Sequence, residues 1–167
     1  MIEVFGAVGT AEYEAALDLR ERILESRPEI EQNAKHSITI IAGVQCHGQR
    51  TRDIDIVVLG WFDTGISYTP LFPLSHNGQL TQPKTVLIQN VCLVIELKDH
   101  SRRGIRFRGT AVQAQYGQRW KDITNQSEKQ TYAFLDYLKA NRIRQKPFVT
   151  NLIWLQNIPN AHLPQRP

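Results

Sequence analysis

Cysteine is scarce in this chain. Only Cys46 and Cys92 occur in 167 residues, far apart and in no CxxC pair. That spacing offers no zinc-ligand set and predicts two buried, reduced thiols. Long apolar runs are also missing, and nothing approaches the ~18 residues of a membrane span. The N-terminus, MIEVFGAVGTAEYE, carries acids and no basic segment followed by an apolar stretch, so it does not read as a signal peptide. There are no internal repeats and no low-complexity tracts. These absences predict a soluble, cytoplasmic protein.

What is present fits one domain of ordinary size. A hydrophobic content of 41% supports a core, and 22% charged residues is not the composition of a disordered chain. The net charge is +4. That permits an anionic partner such as nucleic acid without requiring one.

Apolar periodicity predicts a helix over Ala11–Ser26, with Thr10 as N-cap and Pro28 just past its end. Ala16, Leu19 and Ile23 form its inward stripe, and Glu12 lies one turn before Ala16 on that stripe. An acid on an inward face is unusual, although a first-turn acid also suits the helix dipole. Ser37–Cys46 and Asp53–Trp61 read as two strands joined by the turn HGQRTR, which suggests a hairpin. Asp53 and Asp55 share one face of the second strand. Phe62–Thr85 holds three prolines and Asn77-Gly78, and reads equally as a long loop or a small inserted hairpin.

Val86–Asp99 is the next strand, with a bend expected near Gln89–Asn90. Its end, VIELK, sets Glu96 and Lys98 two residues apart. Side chains alternate along a strand, so both share a face with Val94. Charges at the end of so apolar a strand need pairing or a metal, and an ion pair is the plain alternative to an active site. SRRGIRFR then carries four arginines in eight residues. It fits a charge-blunted edge strand and a phosphate-contacting stripe equally well. A further extended segment runs to Tyr116. Asn125–Arg144 is a second helix, capped by Thr124 or Asn125, with Phe134, Tyr137 and Leu138 inward and Gln130 on the same face. Phe148–Gln156 is the last strand. The predicted domain is 1–158, followed by a Pro-rich tail or linker over 159–167. The element order implies an α/β fold, a mixed sheet with helices packed against it.

Four sites now bear on chemistry: Glu12, Asp55, the Glu96–Lys98 pair and Gln130. Carboxylates with one lysine suit phosphodiester cleavage. Mg²⁺ prefers oxygen ligands and keeps several waters, so Asp55 and Glu96 could hold it while a substrate phosphate completes the shell. Lys98 would then orient or help deprotonate the attacking water. His100, next to the motif, reads as a surface residue.

The pattern resembles the PD-(D/E)XK nuclease superfamily, with Asp55 in DIDIVV and Glu-x-Lys in VIELK. More closely, the chain resembles the nuclease-related domain, NERD. The matching stretches are GAVGTAEYE (Gly6–Glu14), Ile54-Asp55-Ile56, Val94–Lys98, RRGIRFRG (Arg102–Gly109) and SEKQ (Ser127–Gln130). The resemblance implies a restriction-endonuclease-like mixed sheet flanked by helices. It implies Asp55, Glu96 and the Leu97 carbonyl as ligands of Mg²⁺ or Mn²⁺, with Lys98 serving the water. Glu12, chosen over Glu14 for its place on the stripe, and Gln130 would support metal or substrate. Asp53 would be a further candidate ligand. Arg50, Arg52, Arg102, Arg103, Arg106 and Arg108 would contact nucleic acid, expected to be DNA cut internally. Such domains are commonly joined to a C-terminal helicase, kinase or other module. Two features depart from the family: the Phe62–Thr85 insertion, and Glu128 where a proline often precedes the helical glutamine. The competing readings are a binding module without activity and an interaction domain in which these residues form a buried ionic network.

Overall fold

The computed structural model describes residues 1–49, 53–69, 74–76, 79–81, 84–143 and 147–159. In chain order the elements are β1 (Ile2–Phe5), α1 (Ala11–Ser26), α2 (Glu29–Gln32), β2 (His36–Gln45) and β3 (Asp53–Tyr68). They continue with β4 (Leu74–His76), β5 (Gln79–Thr81), β6 (Val86–Lys98), β7 (Ile105–Arg108), β8 (Ala111–Tyr116), β9 (Arg119–Asp122), α3 (Ile123–Ala140) and β10 (Thr150–Leu155). A single 3₁₀ turn, Arg102–Gly104, leads into β7. The fold is α/β, as expected.

The main sheet is mixed, in the order β1-β2-β3-β6-β10. Its centre, β2-β3-β6, is antiparallel, while β1 and β10 join parallel at the two edges. Strand alternation sorts the apolar residues onto two faces. Ile56, Val58 and Ile95 meet Ala15 and Ala16 of α1 on one side. Val57, Cys92 and Val94 meet Phe134 of α3 on the other. Both cysteines are free and buried in this second cluster, and burial pushes both thiols up. A smaller antiparallel sheet, β7-β8-β9, packs Ile105 and Ala114 against Ile123 and Ile158. Among the described residues no helix is long and apolar enough to cross a membrane.

α1 spans the expected residues, and Thr10 caps it by accepting the Tyr13 N–H. Elsewhere the structure moves several boundaries. β3 does not stop at Trp61 but runs on to Tyr68, and β4 and β5 then form a short hairpin within the insertion. Continuation of β3 requires a bulge: Trp61 pairs with Asn90, and pairing resumes only at Ile66 with Ile88. The irregularity expected in β6 near Gln89 is thus taken up by its partner strand. Gly65 sits there at φ +72, and a Cβ on it would lie 2.5 Å from the Leu87 side chain.

α3 is capped by Asp122 rather than Thr124 or Asn125. The Asp122 carboxylate accepts the Asn125 N–H at 3.1 Å. Thr124 lies inside the first turn, where its hydroxyl accepts the Val112 N–H at 2.8 Å and ties α3 to β8. At the other end α3 closes at Ala140, and Arg142 follows with φ 59. The cap assignment is measurable. Asp122→Ala is expected to lower unfolding free energy by ~1 kcal/mol, and Asn125→Ala by less than about 0.5 kcal/mol. Urea denaturation of the two variants should show that order; the reverse order would return the cap to Asn125.

Candidate functional site

The antiparallel register of β3 and β6 builds the centre. Ile56 pairs with Ile95, so the next residues outward, Asp55 and Glu96, stand across from each other on the α3 side. The backbone ladder ends there. In place of a backbone acceptor, the Asp55 Oδ2 accepts the Leu97 N–H at 2.7 Å. A side chain thus closes the pairing and fixes its own carboxylate at the strand end.

Glu96 is fully buried. Its Oε1 accepts from the Lys98 ammonium and from the Gln126 amide, the latter at 2.6 Å. Its Oε2 accepts from Gln130, whose Nε2 also reaches the Asp53 carbonyl at 3.2 Å. Gln126 and Gln130 are one helical turn apart, which aims both amides from α3 at the same group. The Gln130 Oε1 is buried with no hydrogen-bond partner among the described residues.

Two electrostatic facts define the site. Asp55 is pushed up to about 6, first by burial and then by the Glu96 charge; the Leu97 N–H and Lys98 pull the other way, and Glu12 adds to the rise. For Lys98, burial lowers the proton affinity, but the bond and charge of Glu96, with Tyr116 nearby, outweigh it and hold the group above its ordinary value. The lysine is therefore an ammonium.

The fold thus brings together Asp55, Glu96, Leu97, Lys98 and Gln130 from three elements. Glu12 is half-buried at the start of α1, near enough for its charge to act on Asp55. Asp53 is exposed and contributes its carbonyl, not its carboxylate. Arg102 and Arg103 lie exposed in the 3₁₀ turn. Arg106 and Arg108 share the outer face of β7, where Arg106 stacks 4.2 Å above Trp120 and donates to Gln113 at 2.8 Å. Arg50 and Arg52 fall outside the described residues.

His100 is not a surface residue. Its side chain is 17% exposed, one ring nitrogen lies 3.0 Å from the Gln115 carbonyl, and the ring packs edge-on against Tyr116. Sequence reading also missed Gln126 and Tyr116. Gln126 had a usable signal, since it lies four residues before a glutamine already on the inward face. Tyr116 had none, because only the folding of β8 carries it to Lys98.

No family model matches this chain, and no curated protein or solved structure matches it.

The raised Asp55 fixes the sign of a pH effect. A carboxyl raised in the fold favours the folded state when protonated. Its contribution is full below its ordinary 3.8, declines as pH rises through about 6, and is lost above that. Asp55→Asn keeps an acceptor for the Leu97 N–H and removes the charge. The variant is expected to melt higher than wild type at neutral pH and to lack the decline across that window. Parallel melting curves at every pH would contradict the placement of Asp55 beside Glu96.

Proposed function

We propose that this chain is a metal-dependent nuclease domain of the PD-(D/E)XK type, related to NERD, that hydrolyses phosphodiester bonds within DNA. One observation carries the reading. Asp55, Glu96, Lys98 and Gln130 come from segments tens of residues apart, yet they converge on one carboxylate cluster at the end of an apolar strand. The family pattern requires that juxtaposition.

The donor chemistry fits Mg²⁺ or Mn²⁺. Asp55, Glu96 and the Leu97 carbonyl are all hard oxygen donors, and the repulsion that helps lift Asp55 is what a divalent cation would relieve. Among the described residues no group of three or more His, Cys, Asp or Glu gathers to hold a metal. Mg²⁺ takes few protein ligands and keeps several waters, which suits this small donor set. When bound, the ion supplies Lewis-acid polarisation of the phosphoryl oxygen and neutralises developing charge. The chain supplies the rest. Lys98, as an ammonium, orients the attacking water by donating to it and offsets negative charge. Gln130 and Gln126 hold the Glu96 carboxylate in one orientation. Glu12, beyond Asp55, supports the acidic side of the cluster.

A second reading has its own observation. Glu96 already accepts from three donors, which is how a purely structural buried ion pair would look. The two readings separate on Asp55→Asn. Purified wild type, Asp55→Asn and Lys98→Ala are incubated with supercoiled plasmid and with linear single-stranded DNA, in Mg²⁺, Mn²⁺ or EDTA. Wild type is expected to cleave only with metal, and both variants to lose about 100-fold or more of the rate. Melting curves recorded alongside should show Asp55→Asn folded, so that its loss of activity is not loss of structure. Equal degradation by all three proteins would sink the catalytic assignment.

A further inference from the structure

The acidic half of the site comes from β3 and β6, and the family resemblance points to β7 for the basic half. Register points to a second pair of cations, on β9. In β7-β8-β9, Ile105 pairs with Ala114 and Ala114 with Lys121, while Tyr116 pairs with Arg119. By alternation, Ile105, Ala114, Tyr116, Arg119 and Lys121 share the face turned to the core. Arg106, Arg108 and Trp120 share the opposite face.

The inward face ends beside the site. His100, two residues beyond Lys98, brings Tyr116 to the end of β6, close enough for Tyr116 to raise the proton affinity of Lys98. The Tyr116 ring packs edge-on with His100, at 4.8 Å between centroids, and the Lys121 ammonium sits over it at 4.9 Å. At 37% exposure Tyr116 keeps an open edge, and Arg119 and Lys121 are exposed. Among the described residues neither cation makes a salt bridge. On α1, by contrast, Arg20 and Arg22 both pair with carboxylates. Cations that only blunt the edge strand β9 would serve on either face. Here both lie on the face that meets Lys98.

We propose that Tyr116, Arg119 and Lys121 form a phosphate-binding subsite on the rim beside Lys98, which grips the nucleic-acid backbone next to the bond that is cut. The proposal rests on the nuclease reading above. Tyr116 is a positioning residue within it: its ring seats Lys121 and its hydroxyl acts on Lys98. Arg119 and Lys121 contact the phosphate directly.

The test measures binding apart from cleavage. A fluorescein-labelled single-stranded oligodeoxynucleotide is titrated with the full chain in EDTA, by fluorescence anisotropy, from low to moderate salt. Arg119→Ala/Lys121→Ala is compared with Lys129→Ala/Lys139→Ala, which removes the same charge from exposed positions on α3. Two lost phosphate contacts should make the slope of log K against log salt shallower by about 1.4. The α3 pair should leave the slope near wild type. Equal changes in both pairs, an unchanged slope in the first, or no binding by wild type would each overturn the subsite. Tyr116→Phe should keep the slope, since ring and cations remain, and lower the metal-dependent cleavage rate through Lys98. Loss of slope in Tyr116→Phe would overturn its positioning role. A wild type that cleaves while the slopes stay equal loses the subsite alone. A wild type that shows the expected slopes and never cleaves keeps the subsite and loses the nuclease reading.

Discussion

Burying the Glu96 carboxylate is the constraint on which the rest of the site depends. An ionised carboxylate with no exposure costs several kcal/mol unless its oxygens are satisfied. Three donors do so: Lys98 from its own strand and two amides from α3. This demand sets the local design. Lys98 must stand two residues away to share the face. α3 must present glutamines one turn apart, and its start must be pinned to β8 and capped by Asp122 so that the turn is aimed correctly. Asp55 then sits buried across from an anion, and its proton affinity is raised first by that burial and then by the Glu96 charge.

The parts of this design that were legible in the sequence are those set by short-range period. Alternation alone puts Glu96 and Lys98 on one face with Val94. The helical period alone puts Gln130 on the face of Phe134, and with Thr10 and Pro28 at its ends it predicts α1. What could not be read depends on pairings between distant segments. Asp122, Thr124 and Asn125 are all good cap residues; in the fold Asp122 caps the helix while the Thr124 hydroxyl is turned to Val112 of a distant strand. The continuation of β3 past Trp61 depends on Gly65 absorbing a bulge against Leu87, which a local pattern does not reveal. β1 and β9 have four residues each, too few for a period to show above chance.

The small sheet bears most directly on how the site would work. A cluster with Asp55, Glu96 and Glu12 on one side repels a phosphodiester by itself, so cations must stand on the other side without neutralising the acids. Lys98 cannot fill that role alone, because Glu96 already holds it. A sequence run rich in arginine is an obvious source, yet alternation divides any run between two faces. In β7 the division turns Arg106 and Arg108 outward, where Arg106 stacks on Trp120. β9 sends Arg119 and Lys121 to the inward face from only two basic residues. Face, rather than count, decides which cations can meet a substrate. In the proposed subsite Tyr116, between His100 and Lys121, joins that basic edge to the end of β6, so that the β8–β9 hairpin and the Glu96–Lys98 end would act together on one substrate.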